Sequence, residues 1–222
     1  MIKNNKLKHY TTYVVLVFCA ILFTALASAK QLTFSTLLQL ENATIAMILS
    51  ASLCLVVGFL GELSLGHAGF MCVGAFIGGK LSVILTDAGA FGSNELLIML
   101  VCLVVGGLAA AVCGMIIGLP ALRLRGDYLA IVTLAFGEIV RSLFRNAPAE
   151  MFGGTLAMNT PRYDRNSLFI IGFILVLLTV IVIQNFIRSK HGRAVTAIRD
   201  SEIAARATGI NVTKYKLITF TI

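Results

Sequence analysis

The sequence predicts an all-α polytopic membrane protein, and two observations carry that prediction. Of the 222 residues, 58% are hydrophobic and only 13% are charged. Apolar runs long enough to cross a hydrocarbon core of about 30 Å recur along the chain, with basic residues clustered between them. We therefore expect about six complete transmembrane helices and the start of a seventh, together with a broken-helix segment and a cytoplasmic helix described below.

The charge and the cysteines exclude other classes. A net charge of +8 would suggest nucleic acid binding in a soluble protein, but here the basic residues lie between apolar runs, where they orient a chain in the bilayer. We expect a lipid environment and no nucleic acid partner. The cysteines lack a C-x-x-C pair and are predicted to be small buried hydrophobes without a metal. They are Cys19, Cys54, Cys72, Cys102 and Cys113.

The spans follow the apolar runs in chain order. The first run, residues 13–29, follows three lysines and ends in Ala-Ser-Ala, which is also typical of a signal-peptide cleavage site. Its length favours a retained span, and cleavage stays open. Further spans are expected at residues 43–60, 68–85, 96–119, 128–144 and 167–187, with a last one beginning near Tyr215.

The basic residues also predict the topology. Seven Lys or Arg residues lie between 188 and 216, whereas residues 86–95 contain none. We therefore expect residues 188–214 in the cytoplasm and residues 87–95 and 146–166 outside. Residues 145–165 carry three basic residues against two acids, which does not fit their expected location outside, because basic residues favour the cytoplasmic side. If residues 128–144 were re-entrant instead of spanning, the seven basic residues of 188–216 would lie outside, which fits this rule less well.

The longest water-compatible stretch runs from residue 192 to 216. Charged and small apolar residues are mixed there, which predicts a short helix with one apolar face. Asp200 or Ser201 is the expected N-cap, and Glu202 suits the positive end of the helix dipole. Gly209 is the expected C-terminal glycine, with Ile210 making its apolar contact.

Two interpretations of this helix compete. It could be a solvated loop whose basic residues only fix orientation in the membrane. Small side chains such as Ala204 and Ala205 give a lone loop little to order it, but they permit close approach of another protein. We favour a docking surface.

The glycine-rich stretch 58–69, GFLGELSLGHAG, interrupts the apolar pattern between two spans. Irregular backbone at membrane depth is tolerated only against protein or a water-filled cavity, so a broken helix here indicates a pathway past Glu62, Ser64 and His67. The alternative is a cytoplasmic turn with a satisfied histidine, and both interpretations stay open.

The stretch 123–141 places Thr133 and Glu138 within an apolar helix. An acid in a span must face the bundle interior, water or a partner. Because Glu138 lies near the end of the helix, pairing with Arg141 three residues on is the favoured single explanation.

No catalytic constellation is present in the sequence. Residues 74–80 match G-x-x-x-x-G-K, but Leu81 stands where Ser or Thr would hold magnesium and no predicted strand precedes the glycines. We expect a chain that is not an enzyme and has no ATP site of its own.

Three stretches resemble one family, the membrane permease subunits of branched-chain amino-acid ABC transporters of the LivM type. GELSLGHAGFMCVGAF (61–76) is similar to the family's G-x-L-S-L-G-H-A-A-F-x-G-I-G-A-Y segment. RLRGDYLAIVTLAFGEIVR (123–141) follows the family pattern almost residue for residue. GRAVTAIRDSEIAARATGINVTKYK (192–216) resembles the loop that contacts ATPase subunits. The resemblance covers the chain from residue 43 to its end.

The resemblance implies a single transmembrane permease domain over residues 1–222, with 188–214 as a cytoplasmic coupling loop. It implies an importer of the bacterial inner membrane, in which a periplasmic or extracellular binding protein delivers Leu, Ile, Val or a similar amino acid to a path shared by two homologous permeases. Two separate cytoplasmic subunits would bind ATP, so no cofactor is expected in this chain.

Two sets of candidate residues follow. The translocation path is assigned to Glu62, Ser64, Gly66, His67, Thr133 and Glu138. Coupling to the ATPase is assigned to Arg199, Asp200, Glu202, Ala204, Ala205 and Gly209.

Departures from the family pattern limit the prediction. Phe152 replaces the first threonine of an outer-loop T-G-G-T element, and Ala157 replaces a later glycine. The chain stops at Ile222, eight residues into a span that needs about 20. We expect the N-terminal two thirds of a permease.

Urea, short amides or other amino acids remain alternative substrates. The rival classes are an ion-coupled carrier, which would need charges within its spans, and a membrane-embedded enzyme, which would need converging polar groups.

Overall fold

The structure is a computed structural model that describes residues 14–15, 17–19, 21–22, 33–89, 94–121, 127–153, 158–161 and 165–222. Within these ranges the regular structure is helical and contains no strand, which confirms the predicted all-α class. The helices are α1 (Phe34–Cys54), which continues as a π-helix over Leu55–Leu60, α2 (His67–Asp87), α3 (Glu95–Ala121), α4 (Asp127–Asn146), α5 (Ala149–Phe152), α6 (Arg165–Arg188), α7 (Lys190–Asp200), α8 (Glu202–Ala207) and α9 (Val212–Thr221).

In this part of the chain, four helices are long and apolar enough to cross a membrane: Phe34–Leu60, His67–Asp87, Glu95–Ala121 and Leu168–Arg188. The chain is therefore a multi-pass membrane protein, but the expected six complete spans are too many for the described residues. The predicted span 128–144 forms helix α4, yet charged residues in its second half make it less apolar than the other four. The predicted span 13–29 lies mostly outside the described residues.

Most helix ends lie within two residues of the predicted ends, because apolar runs and their charged flanks mark them well. Helix α1 is the exception and begins at Phe34 rather than at residue 43. Its first turns contain Gln39, Glu41 and Asn42, so hydropathy identifies only the apolar part of the helix. Helix α9 begins at Val212, slightly before the predicted start, and Asn211 caps it by accepting a hydrogen bond from the backbone N–H of Lys214 at 3.1 Å.

The described residues form two compact units. The first contains the described parts of Met1–Ser52 and Tyr163–Phe186, that is, most of α1 and α6. A Cβ atom at Gly172 of α6 would lie 2.9 Å from the hydroxyl oxygen of Thr44 in α1, so only glycine permits this approach. Phe169 and Phe173 pack edge to face within α6, with ring centroids 5.0 Å apart.

The second unit contains the described parts of Leu53–Arg162 and Ile187–Ile222. Helices α2 and α3 approach closely through Gly74 and Gly106, since a Cβ atom at Gly106 would lie 2.7 Å from the carbonyl oxygen of Gly74. Gly78 meets Cys102 of α3 in the same way. Gly74, the first glycine of the sequence that mimics a phosphate-binding loop, therefore serves helix packing, whereas a Cβ atom at the second, Gly79, would lie 2.6 Å from the terminal methyl group of Met158.

Helix α9 packs on the same unit through its apolar side chains. Leu217 and Phe220 contact the buried pair Ala121 of α3 and Leu129 of α4. The Phe220 ring also lies edge to face with Phe70 of α2, with centroids 5.5 Å apart. These contacts place the end of the chain beside the start of α2, where the candidate residues lie.

Candidate functional site

The chain breaks between the π-helix and α2, as the glycine pattern predicts, but the irregular part is shorter than 58–69 and covers residues 61–66. Gly61 ends the π-helix in the left-handed region (φ 77°), which favours glycine. Its backbone N–H donates to the carbonyl of Val56, and the N–H of Glu62 donates to the same carbonyl at 3.4 Å. We call residues 61–66 the break segment.

The far end of the break segment is fixed on α4 by Thr133. The hydroxyl of Thr133 accepts a hydrogen bond from the backbone N–H of Leu65 at 3.0 Å and donates to the carbonyl of Ala130 at 3.0 Å. Thr133 is 0% exposed, so this hydroxyl meets the segment's hydrogen-bonding need where water cannot reach. Gly66 lies against the Thr133 backbone so closely that a Cβ atom would collide with the carbonyl oxygen.

The contact with α4 continues into the first turn of α2. A Cβ atom at Gly69 would lie 2.9 Å from the Cα atom of Gly137, one helical turn beyond Thr133. Phe70 and Phe136 pack beside these glycines with ring centroids 5.0 Å apart. The break segment and α2 therefore meet α4 over two successive turns. His67, a predicted path residue, is the first residue of α2.

Ser64 lies in the middle of the break segment and is 2% exposed. Its hydroxyl oxygen has no hydrogen-bond partner among the described residues. Three of the six predicted path residues, Ser64, Gly66 and Thr133, are thus buried together where the break segment crosses α4.

Glu62, at the near end of the break segment, belongs to a different group of contacts. The ammonium group of Lys216 in α9 lies 2.5 Å from one carboxylate oxygen of Glu62 and 3.5 Å from a carboxylate oxygen of Glu202 in α8. The other oxygen of Glu202 lies 2.6 Å from the guanidinium of Arg206. Lys216 is only 3% exposed, so its charge is balanced by these two acids inside the protein. We call Glu62, Lys216, Glu202 and Arg206 the ionic network.

Arg199 of α7 contacts the end of the π-helix, just before the break segment. Its guanidinium donates to the carbonyl of Gly58 at 2.9 Å and also pairs with Asp200 at 3.1 Å. A cation suits the carbonyl end of a helix, where the helix dipole is negative. The Arg199 stem also covers Gly61, because a Cβ atom there would lie 2.7 Å from Arg199 Cγ.

Helix α8 has the ends that the sequence predicts. Of the two candidate N-caps, Ser201 takes the position, and its hydroxyl accepts from the backbone N–H of Ala204 at 3.3 Å. Glu202 lies in the first turn. Gly209 follows the helix with φ 83°, and the N–H of Ile210 donates to the carbonyl of Ala205 at 3.0 Å.

The packing of α8 corrects one expectation. Ala205 was assigned to the docking face, but it is 4% exposed and packs inside this chain against Ile198 of α7 and Val212 of α9. The inward side of the helix covers its own neighbours. Ala204 is exposed, and Ile203 beside it is 81% exposed, the largest exposed fraction of any large hydrophobic side chain among the described residues. The outer face of α8 is therefore centred on Ile203.

Glu138 stands apart from the other predicted path residues. Its carboxylate lies 3.6 Å from the guanidinium of Arg141 in the next turn of α4, and both side chains are exposed. The predicted local pairing is thus present. The structure does not bring Glu138 to Thr133 or to the break segment by any contact that it describes.

Two candidate functional residues, Lys216 and Ile203, are not identified by the sequence alone. In the sequence, Lys216 is only one of seven basic residues that set the orientation of the chain in the membrane. A lysine at the start of an apolar helix requires an acidic partner, and the sequence offers Glu62 as a candidate. Ile203 was grouped with the apolar face, because alternation alone did not show which side of α8 turns inward. Both become evident only when α8 and α9 are placed on the break segment.

Comparison with known proteins now identifies the family. The sequence profile of the family described as "Branched-chain amino acid transport system / permease component" matches residues 35–222. The chain belongs to this permease family. It is 35% identical over 218 residues to the high-affinity branched-chain amino acid transport system permease protein LivM of Salmonella typhimurium, and 36% identical over 217 residues to the protein of the same name from Escherichia coli.

These alignments cover 83% and 82% of this permease but 49% and 48% of the two relatives. The chain therefore spans about half the length of the curated relatives that it matches. No solved structure matches it. The resemblance predicted from the three motifs is confirmed, and all three lie within the matched residues of the permease.

Proposed function

We propose that this permease chain contributes half or more of one transmembrane subunit of an ATP-driven importer for branched-chain or related small amino acids. In this proposal it lies in the bacterial inner membrane and forms the translocation path with a second homologous permease. A periplasmic or extracellular binding protein delivers the substrate, and two cytoplasmic subunits bind and hydrolyse ATP. The observation that carries the proposal is the family match over residues 35–222.

The geometry of α7 and α8 supports a coupling role. Helix α8 is short but has a serine cap at one end and a glycine at the other, and Ala205 anchors it to α7 and α9. The two caps and the packing of Ala205 stabilise this short helix against unwinding. It presents Ile203 to the outside, and an exposed large apolar side chain beside a small one, Ala204, suits insertion into a pocket of an ATPase subunit.

The break segment supports the placement of the path. Non-helical backbone in membrane proteins is tolerated where it is buried in protein or lines a cavity, and transporter substrate sites commonly lie at such interruptions. Here the interruption brings Ser64 and Thr133 to one place, and His67 begins the following helix. The hydroxyl of Ser64, buried without a described partner, is a hydrogen-bonding group that a rearrangement of this region would make available to substrate.

The test is uptake by the complete importer. The full-length permease, its partner permease and the ATPase subunits are reconstituted in vesicles loaded with ATP, and the binding protein is added outside with radiolabelled leucine. We expect leucine to accumulate with ATP, to be displaced by isoleucine and valine but not by urea, and to be insensitive to proton and sodium ionophores. Uptake that requires an ion gradient and not ATP would contradict the proposal, and selective displacement by urea would reassign the substrate.

A further inference from the structure

We propose that the ionic network is a positioning device: through Lys216, it fixes the break segment to the coupling helix α8, so that displacement of α8 moves the break segment against α4. The inference rests on the proposed ATP-driven transport, and it concerns the residues that pass the movement on. Lys216 and Glu62 are positioning residues in this account and need not touch the substrate.

The first support is that the network joins three elements at one buried cation. Lys216 comes from the first turns of α9, Glu62 from the break segment and Glu202 from the first turn of α8. Lys216 and Glu62 are 154 residues apart in the chain, so the pair is a tertiary contact and not a local helix pair. A shift of Glu202 therefore acts on the same ammonium group that holds Glu62.

The second support is that the break segment is attached at both ends. At its near end, Lys216 holds Glu62 and Arg199 holds the carbonyl of Gly58 at 2.9 Å. At its far end, the N–H of Leu65 donates to Thr133 of α4. Only a few residues separate the two attachments, so the segment has little slack with which to absorb a movement. Movement of α8 and α9 is thereby passed to the α4 contact.

The third support is energetic. Removing a lysine and an acid from water costs free energy that offsets much of their electrostatic attraction, and well-packed apolar residues often stabilise a fold as well or better. Stability alone therefore does not explain a buried ionic network at this position. It is directional and holds a defined register, which apolar packing between a loop and two helices does not ensure.

The experiment removes both partners together. In the complete importer, the Glu62→Gln and Lys216→Met changes are made singly and as a pair, and uptake of labelled leucine is measured per ATP hydrolysed in complexes that retain both ATPase subunits. The double variant leaves no unpaired buried charge, because Glu202 keeps Arg206. A purely structural pair therefore predicts impaired single variants and a recovered double variant.

The positioning account predicts the opposite outcome for the double variant. Uptake per ATP should fall by roughly tenfold, within the range of about 5–150-fold that coupling between sites typically spans, and it should not recover relative to the single variants. Wild-type uptake per ATP in the double variant would overturn the inference while leaving the proposed function intact. Absence of ATP-driven uptake by the wild-type importer in the same vesicles would instead sink the proposed function.

A second variant keeps the inference testable where buried changes impair folding. Glu202 is partly exposed, so Glu202→Gln should fold, and it removes the α8 contact of Lys216 while keeping the Glu62 pair. The matched control is Lys214→Gln, which removes an exposed charge from α9 and lies outside the ionic network. We expect reduced uptake per ATP for Glu202→Gln and a normal value for Lys214→Gln, and equal, normal values for both variants would refute the network's role.

Discussion

Gly66 and Thr133 meet with no room for a side chain between them, and this contact sets the position of the break segment on α4. The Thr133 hydroxyl beside it satisfies the N–H of Leu65. The two residues have separate roles, because the glycine permits the close approach and the threonine fixes the register. At this scale the fold depends on the absence of a methyl group and the presence of one hydroxyl.

A direct prediction concerns Gly66→Ala. The added methyl group would collide with the Thr133 carbonyl oxygen, and overpacking of this kind typically costs about 1–3 kcal/mol. The matched control is Gly107→Ala in α3, where a Cβ atom would have no neighbour within 4 Å. Thermal unfolding of the two purified variants should show a lower midpoint for Gly66→Ala and an unchanged or higher one for Gly107→Ala. Equal midpoints would show that the contact is looser than described.

Some residue contacts could be predicted from the sequence and others could not. The Glu138–Arg141 pair lies within one helix, where spacing alone brings the side chains together. The Glu62–Lys216 pair depends on how α9 is placed on the break segment, and no local pattern contains that information. The burial of Ala205 was missed for the same reason, because the partner helices that cover it had no predicted positions.

At the scale of elements, α8 shows how completely local chemistry can specify a helix of six residues. Its cap, its acidic first turn and its terminal glycine are all within a few residues in sequence, and each one was predictable. The sequence does not predict its neighbour α7 as a separate helix, because the same residue, Ser201, ends α7 and caps α8. Composition alone does not show where one helix stops and the next begins.

The left-handed residue after α8 gives a test of this element. Gly209 has φ 83° and no neighbour within 4 Å of a Cβ position, so a side chain there is opposed by the backbone conformation and not by a clash. Gly209→Val should cost about 1–2 kcal/mol, whereas Gly209→Asn should be better tolerated, since asparagine adopts this region more readily than other residues with a side chain. Hydrogen exchange of residues 202–210 should be faster in the valine variant and close to wild type in the asparagine variant. Identical exchange in both variants would argue against the glycine end of α8.

At the scale of the whole molecule, the apolar helices and basic residues predict how the chain is oriented in the membrane. Residues 87–95 and 146–166 are expected outside, and residues 188–214 in the cytoplasm. Hydropathy identified the spans well, because it needs only local composition. Among the described residues, four helices have the length and apolar composition of a span, whereas α4 is less apolar because its second half is charged.

Single-cysteine labelling measures this orientation. On a background without the native cysteines, Ala88→Cys and Ala207→Cys place thiols at exposed positions just after α2 and at the end of α8. An impermeant maleimide should label only the first variant in intact cells and both variants in permeabilised cells. Labelling of Ala207→Cys in intact cells would reverse the topology.

The central claim, that α8 is where an ATPase subunit acts on this permease, depends most directly on Ile203. The measurement is the amount of ATPase subunit that co-purifies with the complete permease when Ile203 is changed to Asp or, as a matched apolar control, to Leu. Because Ile203 is 81% exposed, neither change should alter insertion or folding. The account predicts that Ile203→Asp loses the ATPase, since burying an unpaired carboxylate in an interface is strongly unfavourable, and that Ile203→Leu retains it. Full retention of both ATPase subunits by Ile203→Asp, at wild-type levels of permease in the membrane, would contradict the claim.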